Sequence, residues 1–247
     1  MPARNASCAI VGAGDFIGAA IARKFAAEGY AVFVGRRTAE KLEPLKHEIE
    51  ADGGVCFARG LDARKEADIT VFLAEADAHA PLGVVIANPG ANVHFPILET
   101  TERVFFKVWE MACKAGFLTG REAARIMLRH GKGSIFFTGA TASLRGGSGY
   151  AAFASAKAGL RMVAQAMARE LGPQNIHVAH LVIDAGVDTS FVRERIAHAR
   201  GAEAAANLPA DVLMDPNSIA NAYWMLHEQT RDAWTFELDL RPYGERW

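Results

Sequence analysis

The sequence lacks the features that mark a secreted, membrane or nucleic-acid-binding protein. Its 247 residues include only three cysteines, Cys8, Cys56 and Cys113, and their odd number and spacing suit neither a disulfide framework nor a metal site. The net charge of -1 gives no electrostatic attraction to nucleic acid or to an anionic membrane. The apolar runs are too short to cross a bilayer. We therefore expect a cytoplasmic protein with reduced thiols and no metal, nucleic-acid or membrane partner.

The chain also lacks any obvious point of division. No linker, low-complexity segment or internal repeat interrupts it, and 51% hydrophobic residues are enough to bury one substantial core. The polar N-terminal residues 1–5 lead straight into an apolar run, which is not the pattern of a signal peptide. We predict one domain over residues 1–247.

Strand and helix patterns alternate along the whole chain. Short apolar runs predict strands at 7–11, 31–34, 55–58, 82–87, 133–138, 177–183 and 235–240. Helical patterns lie between them at 17–28, 38–51, 67–78, 104–129, 150–171 and 216–229, and Thr38 is the expected cap of the second helix. Such alternation predicts a doubly wound α/β domain: a mostly parallel sheet of about seven strands with helices on both faces.

A glycine-rich turn follows the first predicted strand and opens the first helix. It runs Gly12-Ala13-Gly14-Asp15-Phe16-Ile17-Gly18. Glycines allow a tight turn and a close approach to a pyrophosphate, which then sits at the helix N-terminus, so this context favours nucleotide binding over a plain turn. Two residues of the turn are unfavourable for nucleotide binding. The Phe16 side chain must point away from a bound nucleotide or obstruct it, and Asp15 adds negative charge near the phosphates.

Two arginines follow the second predicted strand, in the segment Gly35-Arg36-Arg37. An NAD(H) site typically has an acidic residue at the end of this strand, which binds the ribose 2′-hydroxyl. Gly35 occupies that position here and has no carboxylate. Guanidinium groups suit a 2′-phosphate, which they bind bidentately. The alternative is a solvated basic loop. We expect NADP(H) rather than NAD(H).

The segment from Tyr150 to Lys157 places Phe153 and Lys157 four residues apart, on one face of a helix. Together with the glycine turn and the segment Asn88-Pro89-Gly90, it resembles the short-chain dehydrogenase/reductase family over nearly the whole chain. In that family this helix carries a Tyr, which gives a proton to the substrate carbonyl oxygen, and a Lys, which holds the nicotinamide ribose. The resemblance implies an oxidoreductase acting on a small carbonyl compound or alcohol.

The resemblance also shows what has been replaced. Lys157 is retained, whereas the family's Tyr, Ser and Asn correspond to Phe153, Ala140 and Cys113. Phenylalanine keeps the shape of tyrosine without its hydroxyl, and loss of a general acid typically costs on the order of a hundred- to ten-thousandfold in rate. A catalytically idle homologue that keeps the fold is therefore the alternative function, and non-redox chemistry in the same cleft is a weaker third.

Other residues take family roles by their position. Asp62 corresponds to a residue that meets the adenine amino group, although a plain turn Asp is an equal alternative. Asn88 and Gly90 match a segment that lines the adenosine ribose, and Val187 and Thr189 match positions that meet the nicotinamide carboxamide. The resemblance thus implies a cofactor site that spans the chain.

If the protein is an enzyme, another side chain must donate the proton that the family's Tyr donates. Tyr150 lies three residues before Phe153, and Asp184 stands where the family has Pro, so each is a hypothetical displaced acid. Such a group is about 5 Å out of place when it shifts by one helical turn. His94, four residues after Gly90, is more often an ordinary loop residue than one with a chemical role at the cleft, so we expect the former and keep the latter as the alternative.

The C-terminal part bears on specificity and assembly. Residues 190–210 have a helical pattern and occupy the family's substrate-loop region, so we expect either a lid or a surface helical hairpin. By resemblance, the two long helices at 104–129 and 150–171 pair with another subunit as a homodimer or homotetramer.

Overall fold

One parallel sheet fixes where the other elements lie. The computed structural model describes residues 4–245, so Met1, Pro2 and Ala3 of the predicted polar N-terminal segment lie outside the described residues. The strands are β1 (Ser7–Val11), β2 (Ala31–Arg36), β3 (Val55–Gly60), β4 (Leu82–Ala87), β5 (Gly133–Thr138), β6 (Ile176–Ile183) and β7 (Glu237–Leu240). They lie in the order β3-β2-β1-β4-β5-β6-β7, and every pair is parallel. The predicted seven-stranded α/β class is confirmed.

Helices cover both faces of this sheet. They are α1 (Ile17–Ala27), α2 (Glu43–Ala51), α3 (Glu66–His79), α4 (Glu102–Trp109), α5 (Ala115–His130), α6 (Ala151–Leu171), α7 (Ser190–Arg200), α8 (Ala202–Ala206) and α9 (Pro216–His227). One core packs α1, α2 and α9 on the sheet through residues such as Phe25, Ile49 and Ile219. A second packs α3, α5 and α6 on the other face through residues such as Ile69 and Leu160. Burial on both faces explains why the inner strands are almost wholly apolar.

The second predicted helix has a different start. Residues Ala39–Leu42 form a 3₁₀ turn, and the α-helix begins only at Glu43. Pro44 explains the boundary, because its missing N–H and fixed φ suit the first turn of an α-helix. Thr38 precedes the 3₁₀ turn, but its side chain makes no capping hydrogen bond, so the predicted cap is wrong.

The long helix predicted at 104–129 is divided. It begins at Glu102, where Thr101 accepts a hydrogen bond from the backbone N–H of Val104. A π-helical turn, Glu110–Lys114, then separates α4 from α5 and contains Cys113. Such turns insert an extra residue into a helix and are frequent at functional sites. Apolar periodicity alone does not reveal this interruption.

The cysteines and the helices agree with the composition. Cys8, Cys56 and Cys113 are buried and form no disulfide. Burial raises the pKa of the Cys113 thiol. No helix within residues 4–245 combines the length and the hydropathy that a membrane span requires.

The turn after β1 and the end of β4 approach each other closely at Gly12. Gly12 has φ +86°, and a Cβ there would lie 2.8 Å from the backbone carbon of Asn88 and 2.8 Å from the nitrogen of Pro89. The Asn88 side chain donates a hydrogen bond to the Gly12 carbonyl oxygen at 2.9 Å. Only glycine therefore fits at this point, where the two halves of the sheet meet.

Replacing Gly12 by Ala is expected to destabilise the protein more than replacing Gly53 by Ala. Gly53 also has a positive φ, +81°, but nothing lies within 4 Å of the point that a Cβ would occupy there. Gly53→Ala then incurs only the left-handed backbone cost of about 1–2 kcal/mol. Gly12→Ala adds a steric cost of about 1–3 kcal/mol. Urea denaturation without cofactor measures both free energies of unfolding, and equal losses would contradict the close contact.

Candidate functional site

A cleft of about 1220 Å³ opens at the carboxyl edge of the sheet. Its wall is made by the segments that follow β1 to β6, and α7 lies over one end. The sheet order reverses between β1 and β4, so their crossovers leave a crevice at that edge. The fold therefore brings residues distant in sequence into one site.

The cleft is lined by every residue that the sequence assigned to a cofactor site. These are Gly12, Gly14, Asp15, Ile17, Gly18, Arg36, Arg37, Asp62, Asn88, Gly90, Lys157, Val187 and Thr189. Gly14 and Gly90 have open space where a Cβ would lie. Small residues at these points leave room for a ligand against the backbone. The contact of each residue with a cofactor stays a prediction.

The charge of Asp15 is compensated within the structure. Its carboxylate pairs with the Arg36 guanidinium, so Arg36 carries two roles: it faces the cleft and it neutralises Asp15. Phe16 also lines the cleft, at the start of α1, and its side chain does not cap the helix. Gly18 is tightly packed, since a Cβ there would lie 2.6 Å from Ala13 Cα. The glycine turn thus keeps its shape despite Asp15 and Phe16.

The end of the cleft beside β2 and β3 carries a second balanced pair and an exposed cation. Arg64 donates three side-chain hydrogen bonds to Asp62 and holds the pKa of that carboxyl at about 2. Arg37 is exposed, and no carboxylate within residues 4–245 forms an ion pair with it. Arg37 therefore brings an uncompensated positive charge to this end.

Lys157 lies at the opposite end of the cleft and is almost fully buried. Its Nζ donates a hydrogen bond to the Thr138 carbonyl oxygen at 2.7 Å, and it lies 5.9 Å from the centre of the Phe153 ring. Burial lowers the pKa of Lys157 to about 8. The ammonium group is thus held at the cleft wall, where it loses its proton more readily than that of an exposed lysine.

The residues that the sequence resemblance aligns with the family's Tyr, Ser and Asn, namely Phe153, Ala140 and Cys113, supply no hydroxyl or amide. Phe153 and Ala140 line the cleft, and the Phe153 ring is mostly buried. The Ala140 N–H donates to Ser143 Oγ at 3.1 Å, but Ser143 is buried and does not line the cleft. Cys113 does not line the cleft; its Sγ lies 3.0 Å from where a Gly159 Cβ would stand. The usual acid position is therefore apolar.

Tyr150 carries a hydroxyl three residues before that position. It lines the cleft together with Phe153, and its hydroxyl accepts a hydrogen bond from Arg195 at 3.3 Å. His94 packs edge-to-face on the Tyr150 ring, with centroids 5.0 Å apart, but does not itself line the cleft. Thr141 is another hydroxyl in the same wall.

Asp184 does not meet the requirements of a displaced acid. It is fully buried, does not line the cleft, and pairs with Arg145 and Arg241. Burial alone raises its pKa, but hydrogen bonds from Thr141 and Arg241 and the charges of both arginines outweigh burial and lower the pKa. A carboxylate that stays ionised donates no proton, so the structure argues against that hypothesis.

The predicted lid region forms two short helices over the cleft. Within 190–210, α7 and α8 are joined at Gly201 and pack on each other, which is the hairpin alternative. One face of α7 also lines the cleft, which is the lid alternative. Thr189 caps α7 by accepting a hydrogen bond from the Val192 N–H at 3.1 Å. The helical hairpin is present in the structure, and a role for the segment as a lid stays a prediction.

Sequence reasoning missed four cleft arginines, Arg64, Arg145, Arg195 and Arg200. Arg195 had a detectable signal, because it falls on the apolar stripe of the lid helix, where an arginine is out of place. Arg64 and Arg145 lie in irregular segments whose direction the sequence does not give. No cluster of three or more metal-ligating side chains occurs in the described part of the chain.

Comparison with known proteins relates the chain to one family by sequence. The model of the short chain dehydrogenase family matches residues 7–200. A curated relative, the 3-oxoacyl-[acyl-carrier-protein] reductase MabA of Mycobacterium bovis, is 29% identical over 192 residues, which cover 78% of this chain and 73% of MabA.

Solved structures agree with this assignment. A short-chain dehydrogenase from Rhodopseudomonas palustris shares 61% identity, with 97% of this chain and 100% of that chain covered and a TM-score of 0.84. A metagenomic short-chain oxidoreductase, solved in complex with NADP, shares 25% identity, with 96% of each chain covered and a TM-score of 0.79.

The buried ammonium of Lys157 predicts a pH-dependent stability that Lys157→Met abolishes. The folded-state pKa of about 8 lies below the ordinary 10.5, so the unfolded chain binds more protons between these values. The free energy of unfolding of the wild type therefore rises with pH in that window. Between pH 7.5 and 9.5, the free energy of unfolding of the wild type should rise by about 2 kcal/mol more than that of Lys157→Met. Denaturant titrations at both pH values measure it; a constant difference would contradict the buried charge.

Proposed function

Since the chain belongs to the short-chain dehydrogenase/reductase family of oxidoreductases, we propose that it is an NADP(H)-dependent oxidoreductase of a small carbonyl compound or alcohol. The observation that carries the proposal is the cleft itself, which has a glycine turn and Arg37 at one end and Lys157 at the other. The NADP bound in the metagenomic relative and the reductase name of MabA support it. We expect it to work in the cytoplasm.

The residues of the cleft fit this cofactor. Open space beside Gly14 leaves the backbone accessible to a pyrophosphate, and the Asp15–Arg36 pair removes the charge that would repel it. Arg37, with Arg36 beside it, would hold the 2′-phosphate, while Asp62 would face the adenine. Asn88 and Gly90 would line the adenosine ribose, and Lys157, Val187 and Thr189 the nicotinamide half. When bound, NADP(H) supplies or accepts the hydride.

The protein's own residues must then position the carbonyl and move one proton. Lys157 places a cation beside the reacting centre and would hold the ribose hydroxyls in exchange for its bond to Thr138. Phe153 excludes water from the same wall and offers no proton. Proton transfer therefore falls to another hydroxyl. Tyr150 is the candidate because it lines the cleft, whereas the Thr141 hydroxyl in the same wall is hydrogen-bonded to Asp184. The Arg195 guanidinium occupies a lone pair of the Tyr150 oxygen and leaves its proton available to donate.

The second candidate function is a catalytically idle homologue that binds the cofactor without turnover. The observation that favours it is the apolar acid position, where Phe153 and Ala140 replace both hydroxyls. A misplaced proton donor costs heavily, because catalysis tolerates little displacement of its groups. Oxidation of NADPH by the wild type with any carbonyl substrate excludes this alternative.

Assembly is proposed to be a homodimer or homotetramer through α4, α5 and α6. Large apolar side chains on these helices are exposed, namely Phe106, Trp109, Phe117 and Met162. Apolar area of this kind is costly to leave in water and is typical of an interface. Sedimentation velocity measures the assembly, and a monomeric mass at micromolar concentration would contradict it.

Replacing Arg37 by Gln is expected to weaken NADPH binding about tenfold or more while leaving NADH binding unchanged. The lost group is a charge-assisted donor to the 2′-phosphate, which NADH lacks. Arg59→Gln is the matched control, because Arg59 is exposed near the end of β3 and pairs with Glu75 outside the cleft. Fluorescence titration measures both affinities; an equal loss for NADH and NADPH would contradict the assignment.

Replacing Tyr150 by Phe is expected to lower kcat about a hundredfold or more, with NADPH affinity unchanged, because the hydroxyl is the proposed proton donor. Tyr243→Phe is the control, since Tyr243 is exposed and is not part of the cleft lining. Steady-state kinetics and cofactor titration separate the two effects. Unchanged turnover of Tyr150→Phe would rule out Tyr150 as the donor.

A further inference from the structure

The charged side chains along the cleft are distributed unequally between its ends. At the end beside β2 and β3, the acidic residues Asp15 and Asp62 are each paired with an arginine. At the other end the described lining contains cations but no acid, namely Arg145, Lys157, Arg195 and Arg200. A cofactor phosphate accounts for cations at the first end only. Lys157 is accounted for by the nicotinamide ribose, but the three arginines at the second end require a different explanation.

Arg195 occupies the cleft-facing side of the lid helix. Val192, Arg195, Ile196 and Ala199 follow a helical i, i+3, i+4, i+7 spacing and all line the cleft. Their neighbours Arg193 and Glu194 are not part of that lining, and Arg193 faces a separate, smaller cavity. The charged position of this stripe is thus directed at the substrate space.

The contacts of Arg195 hold it in place without neutralising it. Its Nη2 donates to the Tyr150 hydroxyl at 3.3 Å, and its guanidinium lies 5.8 Å from the centre of the Phe191 ring. Within residues 4–245 it forms no ion pair, whereas Arg193 on the opposite face pairs with Asp188. The lid therefore carries a full positive charge to the wall beside Tyr150.

Arg145 supports the same end of the cleft from the sheet side. Its Nη2 donates to both carboxylate oxygens of Asp184, at 3.0 and 3.1 Å. Asp184 is fully buried and also binds Arg241, which in turn pairs with Asp239. The carboxylate of Asp184 partly neutralises Arg145 and fixes the orientation of its guanidinium group. The Arg145 side chain remains half exposed in the cleft. Arg145 is a fixed donor rather than a free charge.

From this arrangement we infer that the substrate is a small carbonyl compound bearing an anionic group, held between Arg195 of the lid and Arg145 of the wall. The inference rests on the proposed function and adds the substrate class to it. Guanidinium groups bind carboxylate and phosphate oxygens bidentately, so either anion fits the same pair. Binding of the anion at Arg195 would place the carbonyl at the wall that Tyr150 and Lys157 line.

The test is a calorimetric titration of the protein saturated with NADP⁺, in which an oxo substrate binds without being reduced. Acetoacetate is compared with methyl acetoacetate, and dihydroxyacetone phosphate with dihydroxyacetone. These pairs distinguish a carboxylate from a phosphate and each from its neutral partner. We expect at least one anion to bind about tenfold or more tightly than its neutral partner. Arg195→Gln is expected to abolish that preference and leave NADP⁺ affinity unchanged.

Two control variants make the outcome specific. Arg193→Gln removes the same charge from the same helix but on the face away from the cleft, and Arg169→Gln removes it from an exposed site on α6. Both are expected to keep the preference for the anion. A loss of equal size in Arg193→Gln would overturn the inference, because it would show a general effect of lid charge.

The remaining outcomes separate this inference from the proposed function. Absence of NADP⁺ binding to the wild type would reject the proposed function, and the substrate inference with it. Normal NADP⁺ binding with no preference for either anion would reject the inference alone. Weaker NADP⁺ binding in Arg195→Gln would also overturn it, because Arg195 would then serve the cofactor.

Discussion

The structure depends on the contact between the glycine turn after β1 and the end of β4. Gly12 meets the Asn88–Pro89 backbone without room for a side chain, and the Asn88 amide bridges back to the Gly12 carbonyl. This contact joins the two halves of the sheet where their crossovers diverge, so it fixes the position of the crevice. The Arg37 end and the Lys157 end of the site are both placed relative to it.

The fold was largely predictable from the sequence. Apolar runs bounded by glycine, such as 7–11 and 82–87, are strands because burial on both faces leaves no polar positions in them. The departures arise where local backbone chemistry overrides periodicity. Pro44 delays the start of α2, and the π turn at Glu110–Lys114 interrupts a helix whose apolar spacing continues on both sides.

The candidate site was predictable in its members but not in their pairing. Spacing identified Gly12, Arg37 and Lys157, and all three line one cleft. Spacing did not reveal that Arg36 compensates Asp15, or that Arg145 and Arg241 keep Asp184 ionised, because these pairs join segments far apart in sequence. The charge and pKa of a side chain depend on the distance to its ion-pair partner in the folded protein. The residue types and their spacing in the sequence indicate only which chemical groups are available. In the proposed function, the end of the cleft at Phe153 is therefore the part expected to differ most from the family pattern.

The most direct measurement of this account is hydride transfer by the wild type. The protein is incubated with NADPH carrying deuterium at C4 of the nicotinamide and with a panel of short oxo acids and aldehydes, and the products are examined by mass spectrometry. The account predicts an alcohol with deuterium at the former carbonyl carbon, despite Phe153 at the usual acid position. NADPH that binds tightly but transfers no deuterium to any member of the panel would contradict it.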